Sequence, residues 1–260
     1  MNQLADVFNA TGRTALIAYV TVGYPSIDAT LRLVPLLARN GCDIVELGIP
    51  FSDPMADGAM IQKTSHEALL NGVTPDVCLD VARQLSGEVD VPLVFMSYYN
   101  PILKKGLDGF CRACADSGVS GLIVPDLPPD EGGELESVSS AYGVDLVYLL
   151  APTATEARIR LVAGRSRGFL YLVSLAGVTG ARASLHDGLE DFVDRVRAVA
   201  KQPLCVGFGI SSPEQAVRVA KVADGVIVGS KILQLVEQDD SLEEAARFVR
   251  AVRAALDSAE

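Results

Sequence analysis

The sequence is poor in metal-binding side chains. Its only histidines, His66 and His186, lack the spacing of a zinc ligand set, so no metal site is predicted. The five cysteines are Cys42, Cys78, Cys111, Cys114 and Cys205. Cys111 and Cys114 form one C-x-x-C, but it lies in a helix-like segment with no second pair and no nearby histidine. All five therefore read as reduced residues packing as small apolar groups. No run of eighteen apolar residues occurs, so no membrane span is predicted. The first residues, MNQLADVFNATGR, lack a basic region followed by an apolar stretch. That argues against a signal peptide and for a cytoplasmic protein. Basic residues are outnumbered, 22 against 33 acidic, for a net charge of -11. A broad nucleic-acid footprint is thereby disfavoured, although a phosphate could still be held by backbone N–H groups. A nucleotide P-loop, G-x-x-x-x-G-K-[ST], is absent. No G-x-G-x-x-G follows the first strand, which counts against an open dinucleotide-binding sheet.

What is present is a repeating pattern. The 260 residues are 49% apolar and 21% charged, a globular composition of the size of one α/β barrel. Short runs rich in Val, Ile and Leu recur at 15–22, 43–49, 92–98, 121–126, 145–151, 169–175, 203–208 and 225–229. They lack strict alternation, as expected for strands covered on both faces. Helices are predicted between them. Segment 27–40 carries periodic leucines. Segment 212–222 opens with Ser212-Pro213-Glu214-Gln215, a capping box with proline at the first helical position. Segment 153–163 opens with a second candidate cap, Thr153 to Glu156, and 2–9 and 241–256 read as extra terminal helices. No linker or composition break interrupts the chain. Eight strand–helix units predict parallel pairing with right-handed crossovers, closed into a single (β/α)8 TIM-barrel domain over residues 1–260.

In such a barrel, chemistry sits at the C-terminal ends of the strands, and three groups fall there. Glu46 lies in DIVELGIP between Val45 and Leu47. On alternation, Ile44, Glu46 and Gly48 share one side. A lone glutamate on a strand often faces solvent, but a barrel strand has no solvated face. A carboxylate in a dry pocket has a raised pKa and is poised for proton transfer. Gly48 is expected to leave room beside it for a flat ring. Loop 50–60, PFSDPMADGAM, holds Asp53 and Asp57; its acids could simply cap the next helix, or belong to a catalytic lid. Ala56 and Gly58 are small and the loop polar, so Asp57 is expected to be ionised near neutral pH. The third group is glycine-rich: Gly177-Val178-Thr179-Gly180, Gly207-Phe208-Gly209 and Gly229-Ser230. Small residues and free N–H groups after strands seven and eight suit a phosphate.

With these residues in view, the sequence resembles the tryptophan synthase alpha chain family. ELGIPFSDPMADG at 46–58 resembles the family signature, followed in order by Ile61-Gln62, YYNPI at 98–102, GLIVPDLPPDE at 121–131, LAPT at 150–153, GVTG at 177–180, VGFGIS at 206–211 and VGS at 228–230. The resemblance spans essentially the whole chain. It implies cleavage of indole-3-glycerol phosphate to indole and glyceraldehyde 3-phosphate, in tryptophan biosynthesis. It implies that Glu46 is the acid/base at indole C3 and that Asp57 binds the indole N–H and stabilises the cationic ring. Tyr171 is implied to lie beside Glu46. Gly180, Gly209, Gly229 and Ser230 are implied to cradle phosphate, with Tyr19, Met96, Tyr98 and Ile123 walling the indole pocket. Thr179 is implied to sit on a closing segment, 177–187, and to touch Asp57. The resemblance further implies a beta-chain partner carrying pyridoxal phosphate, in an α2β2 heterotetramer. Asp53-Pro54, Asn100-Pro101 and Pro128-Pro129 would face it. Ala59, where the family usually has proline, and KTSHEAL at 63–69 depart from the common pattern. A free-standing lyase, an inactive activator of the beta chain and another sugar-phosphate barrel remain the alternatives.

The reaction itself calls for these residue types. Indole is a poor leaving group until C3 takes a proton. Retro-aldol cleavage therefore needs an acid at C3, a counter-charge for the ring and a base for the hydroxyl that becomes the aldehyde. Two carboxylates in different environments supply these roles without a metal or organic cofactor in this chain.

Overall fold

A computed structural model describes residues 3–173, 188–207 and 209–259. The apolar runs form parallel strands, each followed by one or two helices. The first half contains α1 (Gln3–Thr11), β1 (Ala15–Thr21), α2 (Ile27–Arg39), β2 (Ile44–Gly48), α3 (Ala59–Leu70), α4 (Pro75–Ser86), β3 (Leu93–Met96), α5 (Tyr99–Lys105), α6 (Leu107–Asp116) and β4 (Val119–Ile123). The second contains α7 (Gly133–Ala141), β5 (Asp145–Val147), β6 (Leu149–Leu150), α8 (Glu156–Arg165), β7 (Leu170–Val173), α9 (Leu189–Arg197), β8 (Leu204–Gly207), α10 (Pro213–Ala220), β9 (Gly225–Val228), α11 (Ser230–Gln238) and α12 (Glu243–Ala259).

Among the described residues the strand order is β5-β4-β3-β2-β1-β9-β8-β7-β6. Its two ends, β5 and β6, are separated in the chain by Tyr148 alone, so the sheet wraps into a nearly closed TIM barrel. The run at 145–151, expected as one strand, is thus two. At Tyr148 the backbone N–H donates to Ser166 Oγ at 3.0 Å rather than to a neighbouring strand. The Tyr148 carbonyl still accepts from Tyr171 N at 3.1 Å, which carries the ring across the break.

Two other boundaries differ from expectation. The fourth strand is Val119–Ile123, not 121–126, because Val124 and Pro125 enter a turn closed by Leu127 N to Val124 O at 3.1 Å. The helix expected at 153–163 is Glu156–Arg165. A turn from Ala151 O to Ala154 N occupies its first residues, and Thr155, not Thr153, is the cap, accepting from Arg158 N at 3.3 Å. The Ser212 cap holds: its hydroxyl accepts from Gln215 N at 3.4 Å ahead of Pro213.

The barrel interior is filled by pairing tyrosine and cysteine side chains with glycines on the next strand, as a packed barrel core requires. A Cβ at Gly48 would fall 2.1 Å from the Tyr19 hydroxyl, one at Gly207 2.5 Å from the Tyr171 hydroxyl, and one at Gly225 2.6 Å from Cys205 Sγ. Gly48 therefore does not leave room for a substrate ring; Tyr19 already occupies that space. At the N-terminal end, α1 caps the barrel with fully buried Leu4, whose Cδ1 lies 2.7 Å from where a Gly121 Cβ would stand. All five cysteines are buried and unbridged.

Candidate active site

Strand register assembles the first part of the site. Tyr19 on β1, Glu46 on β2 and Val94 on β3 are Cα partners across three adjacent strands. One level further along, Gly48, Met96 and Ile123 are partnered on β2, β3 and β4. Glu46 is wholly buried, and neither carboxylate oxygen has a hydrogen-bond partner among the described residues. Burial alone pushes its pKa from the ordinary 4.5 up to about 8. Tyr171 is likewise buried. Its phenol is held well above the usual range first by burial, then by the charges of Glu46 and Asp57. Tyr19 shows the same influences, burial first, then Asp57 and, more weakly, Glu46. The two carboxylates and two tyrosines form one electrostatic cluster.

Asp57 enters from the loop between β2 and α3. The loop is fastened from several sides: Tyr98 Oη accepts from Ala56 N at 2.9 Å, and Gln62 Nε2 donates to Asp57 O at 2.9 Å and to Pro54 O at 3.3 Å. Phe51 stacks on Tyr98 with ring centroids 5.0 Å apart. Asp57 is only 6% exposed. Burial raises its pKa to about 6, partly offset by a hydrogen bond from Tyr98. The polar character of the loop sequence therefore misleads: the loop folds its acid inward, and Asp57 is ionised only above about pH 6. Sequence reasoning also missed Phe51 and the clamp role of Gln62. Tyr98 stands out less as a pocket wall than as the post to which the loop is tied.

Gly209, Gly229 and Ser230 lie at the ends of β8 and β9. Gly209 has φ +79°, a left-handed conformation that favours glycine. Gly229 is the N-cap of α11 and offers no side-chain cap. The first helical bond there is Leu233 N to Gly229 O, so helix geometry leaves the N–H groups of Ser230, Lys231 and Ile232 for an anion at the barrel mouth. Thr179 and Gly180, with the expected closing segment 177–187, lie outside the described residues. At the opposite end of the barrel a cleft of about 460 Å³ is lined partly by Arg13, Arg197 and Lys201. Arg13 is bonded to Asp43 at 2.6 Å and Arg197 to Asp224 at 2.6 Å, so these arginines serve the frame.

No described helix is long and apolar enough to cross a membrane. The sequence matches the family described as tryptophan synthase alpha chain over residues 6–259. It is 59% identical to the tryptophan synthase alpha chain of Dehalococcoides mccartyi over 257 residues, covering 99% of this chain and 100% of that one. To the alpha chain of Geobacter sulfurreducens it is 46% identical, covering 98% and 99%. Among solved structures it is similar to Mycobacterium tuberculosis tryptophan synthase, with TM-score 0.91, 37% identity and 98% of each chain covered. The tryptophan synthase alpha subunit of Legionella pneumophila gives TM-score 0.91 at 34% identity, with 99% of each chain covered. A dry, unpaired glutamate on β2, a second buried acid on the following loop and an open helix N-terminus after β9 thus stand in a chain that belongs to the tryptophan synthase alpha chain family, the carbon–carbon lyases that cleave indole-3-glycerol phosphate to indole and glyceraldehyde 3-phosphate.

Proposed function

We propose that Glu46 and Asp57 divide the chemistry of this retro-aldol cleavage, within a single barrel domain spanning residues 1–260. Protonated Glu46 delivers its proton to indole C3, making the ring cationic. Ionised Asp57 accepts the indole N–H and balances that charge. The carboxylate left on Glu46 then takes the proton of the substrate hydroxyl. The C3–carbon bond pair returns to the ring, the hydroxyl oxygen becomes the aldehyde, and Glu46 is restored to its acid form. The single observation that carries this reading is the contrast between the two acids: Glu46 is wholly buried with neither oxygen partnered among the described residues, whereas Asp57 accepts from Tyr98, so burial raises Glu46 further, to about 8, than Asp57, to about 6. Near pH 7 one is protonated and the other ionised, as the division of labour requires. Tyr171 borders Glu46, and Tyr19, Met96, Tyr98 and Ile123 surround the indole.

The phosphate is assigned to Gly180, Gly209 and the α11 N-terminus at Gly229 and Ser230, with Thr179 closing toward Asp57. At Gly229 a Cβ would come 3.1 Å from Tyr19 Cβ, so a larger side chain presses on both phosphate and indole ends. Gly209→Val and Gly229→Val are each expected to raise KM for indole-3-glycerol phosphate tenfold or more, in the order of what blocked close approach imposes. Steady-state kinetics on the folded variants checks this; unchanged KM in both puts the phosphate elsewhere.

The partner proposed is a beta chain carrying pyridoxal phosphate, in an α2β2 heterotetramer of the cytoplasm. Its docking face would take in Asp53-Pro54, Asn100-Pro101 and Pro128-Pro129 at the mouth, next to Met55, which is 93% exposed. Covering the mouth would keep neutral indole from escaping. Indole release from indole-3-glycerol phosphate, assayed with and without a beta chain, tests the whole reading. Release that rises on mixing is expected. No release in either case sinks the lyase assignment, and an unchanged rate without co-elution at micromolar concentration sinks the subunit assignment.

A further inference from the structure

A line of buried hydroxyls runs from the barrel wall to the helix that follows Asp57. Thr21, the last residue of β1, and Thr64, in α3, are 1% and 0% exposed. Their hydroxyls are 2.8 Å apart. Thr21 Oγ1 also lies 3.4 Å from the Tyr19 hydroxyl, and Thr64 Oγ1 3.1 Å from Ile61 O in the first turn of α3. The chain therefore reads Tyr19, Thr21, Thr64, Ile61. It begins over Gly48, two residues along β2 from Glu46. It ends in the turn whose N-cap, Gly58, directly follows Asp57. Gln62 belongs to the same turn and holds the Asp57 carbonyl.

We propose that the Tyr19–Thr21–Thr64 hydroxyl chain positions Asp57, by fixing the first turn of α3 against β1 beside Glu46. This rests on the reading of Asp57 given above. The physical case is that hydroxyls are costly to bury unless each finds a partner. An apolar pair would pack β1 against α3 without specifying register between them. Two threonines joined to each other, with Thr21 reaching the Tyr19 phenol or Thr64 a helix carbonyl, tie α3 to β1 in one axial and rotational setting. Each hydroxyl has one proton to give, so the Thr21–Thr64 bond takes one threonine's proton and leaves the other's for one end of the line. If Thr64 donates to Ile61 O, Thr21 donates to Thr64 and not to the Tyr19 phenol. If Thr21 donates to Tyr19, Thr64 donates to Thr21. Both orders need both threonines. Asp57 is faced by Tyr98 from the start of α5, Tyr19 from β1 and Tyr171 from β7; Glu46 on β2 shares the last two as neighbours.

The test compares Thr64→Val, which keeps shape but loses the hydroxyl, with Thr64→Ser, which keeps the hydroxyl. Thr64→Val is expected to lower kcat about tenfold with KM within about twofold, because a carboxylate shifted by a fraction of an ångström loses aim more than grip. Thr64→Ser is expected to restore kcat. The second readout needs no substrate: the carboxyl carbon of Asp57, followed by NMR in the ligand-free protein. Its titration midpoint should fall toward the ordinary carboxylate range in Thr64→Val, as the loop loosens and water reaches it, and stay as in the wild type in Thr64→Ser. Should Thr64→Val not fold, Thr64→Ala gives the same comparison. A folded Val or Ala variant with wild-type kcat and wild-type Asp57 titration overturns the proposal, as does a Ser variant as impaired as the Val variant. If the wild type itself releases no indole, the lyase reading fails, while the Asp57 titration still decides whether the hydroxyl chain sets its place.

Discussion

Replacing Asp57 by asparagine is expected to lower turnover by about a hundredfold or more, the range for losing one well-placed electrostatic group. Asparagine has the shape of aspartate and can still accept from the indole N–H, so binding should change little. What it lacks is the negative charge that strengthens its hold on the ring as C3 is protonated. That charge acts in a dry site, where Coulomb interactions are stronger than in water. Tyr98 and Gln62 keep the loop in place independently of the carboxylate charge: Tyr98 Oη accepts from Ala56 N, and Gln62 holds the Asp57 carbonyl. The Asn variant should therefore fold normally. The pH dependence separates this role from a proton-transfer role. In the wild type, kcat should fall as pH drops through about 6, where Asp57 becomes neutral. The Asn variant should have lost that acid limb and be uniformly slow. Single-turnover indole release over a pH series measures both effects. Activity above roughly half of wild type at neutral pH would refute the role, since no group placed for charge stabilisation is worth so little.

The parts of the fold legible in the sequence were those set by local chemistry. Apolar runs marked the strands, and alternation within β2 put Glu46 with Ile44 and Gly48 on one face. The Ser212-Pro213 pair announced the start of α10. The parts not legible depend on partners distant in sequence. The fifth strand breaks at Tyr148 because Ser166, eighteen residues on, takes its N–H. Gly48 looks like space until Tyr19, from another strand, is found filling it. Asp57 looks solvated in a loop of Ser, Asp and Gly, yet Tyr98 and Gln62 turn the loop inward and dry it. The Thr21–Thr64 pair has no signature at all, since a threonine on a strand and one on a helix are unremarkable until they are found 2.8 Å apart.

Glu46→Gln is expected to have the largest effect, a loss of turnover of at least about a thousandfold, the upper part of the range for acid–base catalysis. The wild-type residue is fully buried with neither oxygen partnered among the described residues, so little stabilises its charged form. Its acid form prevails up to about pH 8. A proton is therefore available for C3 at neutral pH, and turnover should decline as pH rises through about 8. Glutamine keeps the volume and can donate a hydrogen bond, but it can neither give a proton to C3 nor take one from the hydroxyl. Stability supplies an independent check on the same environment. A carboxyl whose folded pKa lies above its unfolded value contributes most below the unfolded value, here 4.5, and that contribution is lost as pH rises through about 8. Glutamine carries no such ionisation. The variant should thus match the wild type below about pH 4.5 and exceed it in stability by a margin that grows up to about pH 8 and is constant above it. Two measurements decide the case: single-turnover indole release at neutral pH and Tm from about pH 4.5 to about pH 8. A folded variant within tenfold of wild-type rate means another group moves the proton. A Tm difference that does not grow across that interval means Glu46 is not the desolvated acid on which the mechanism depends.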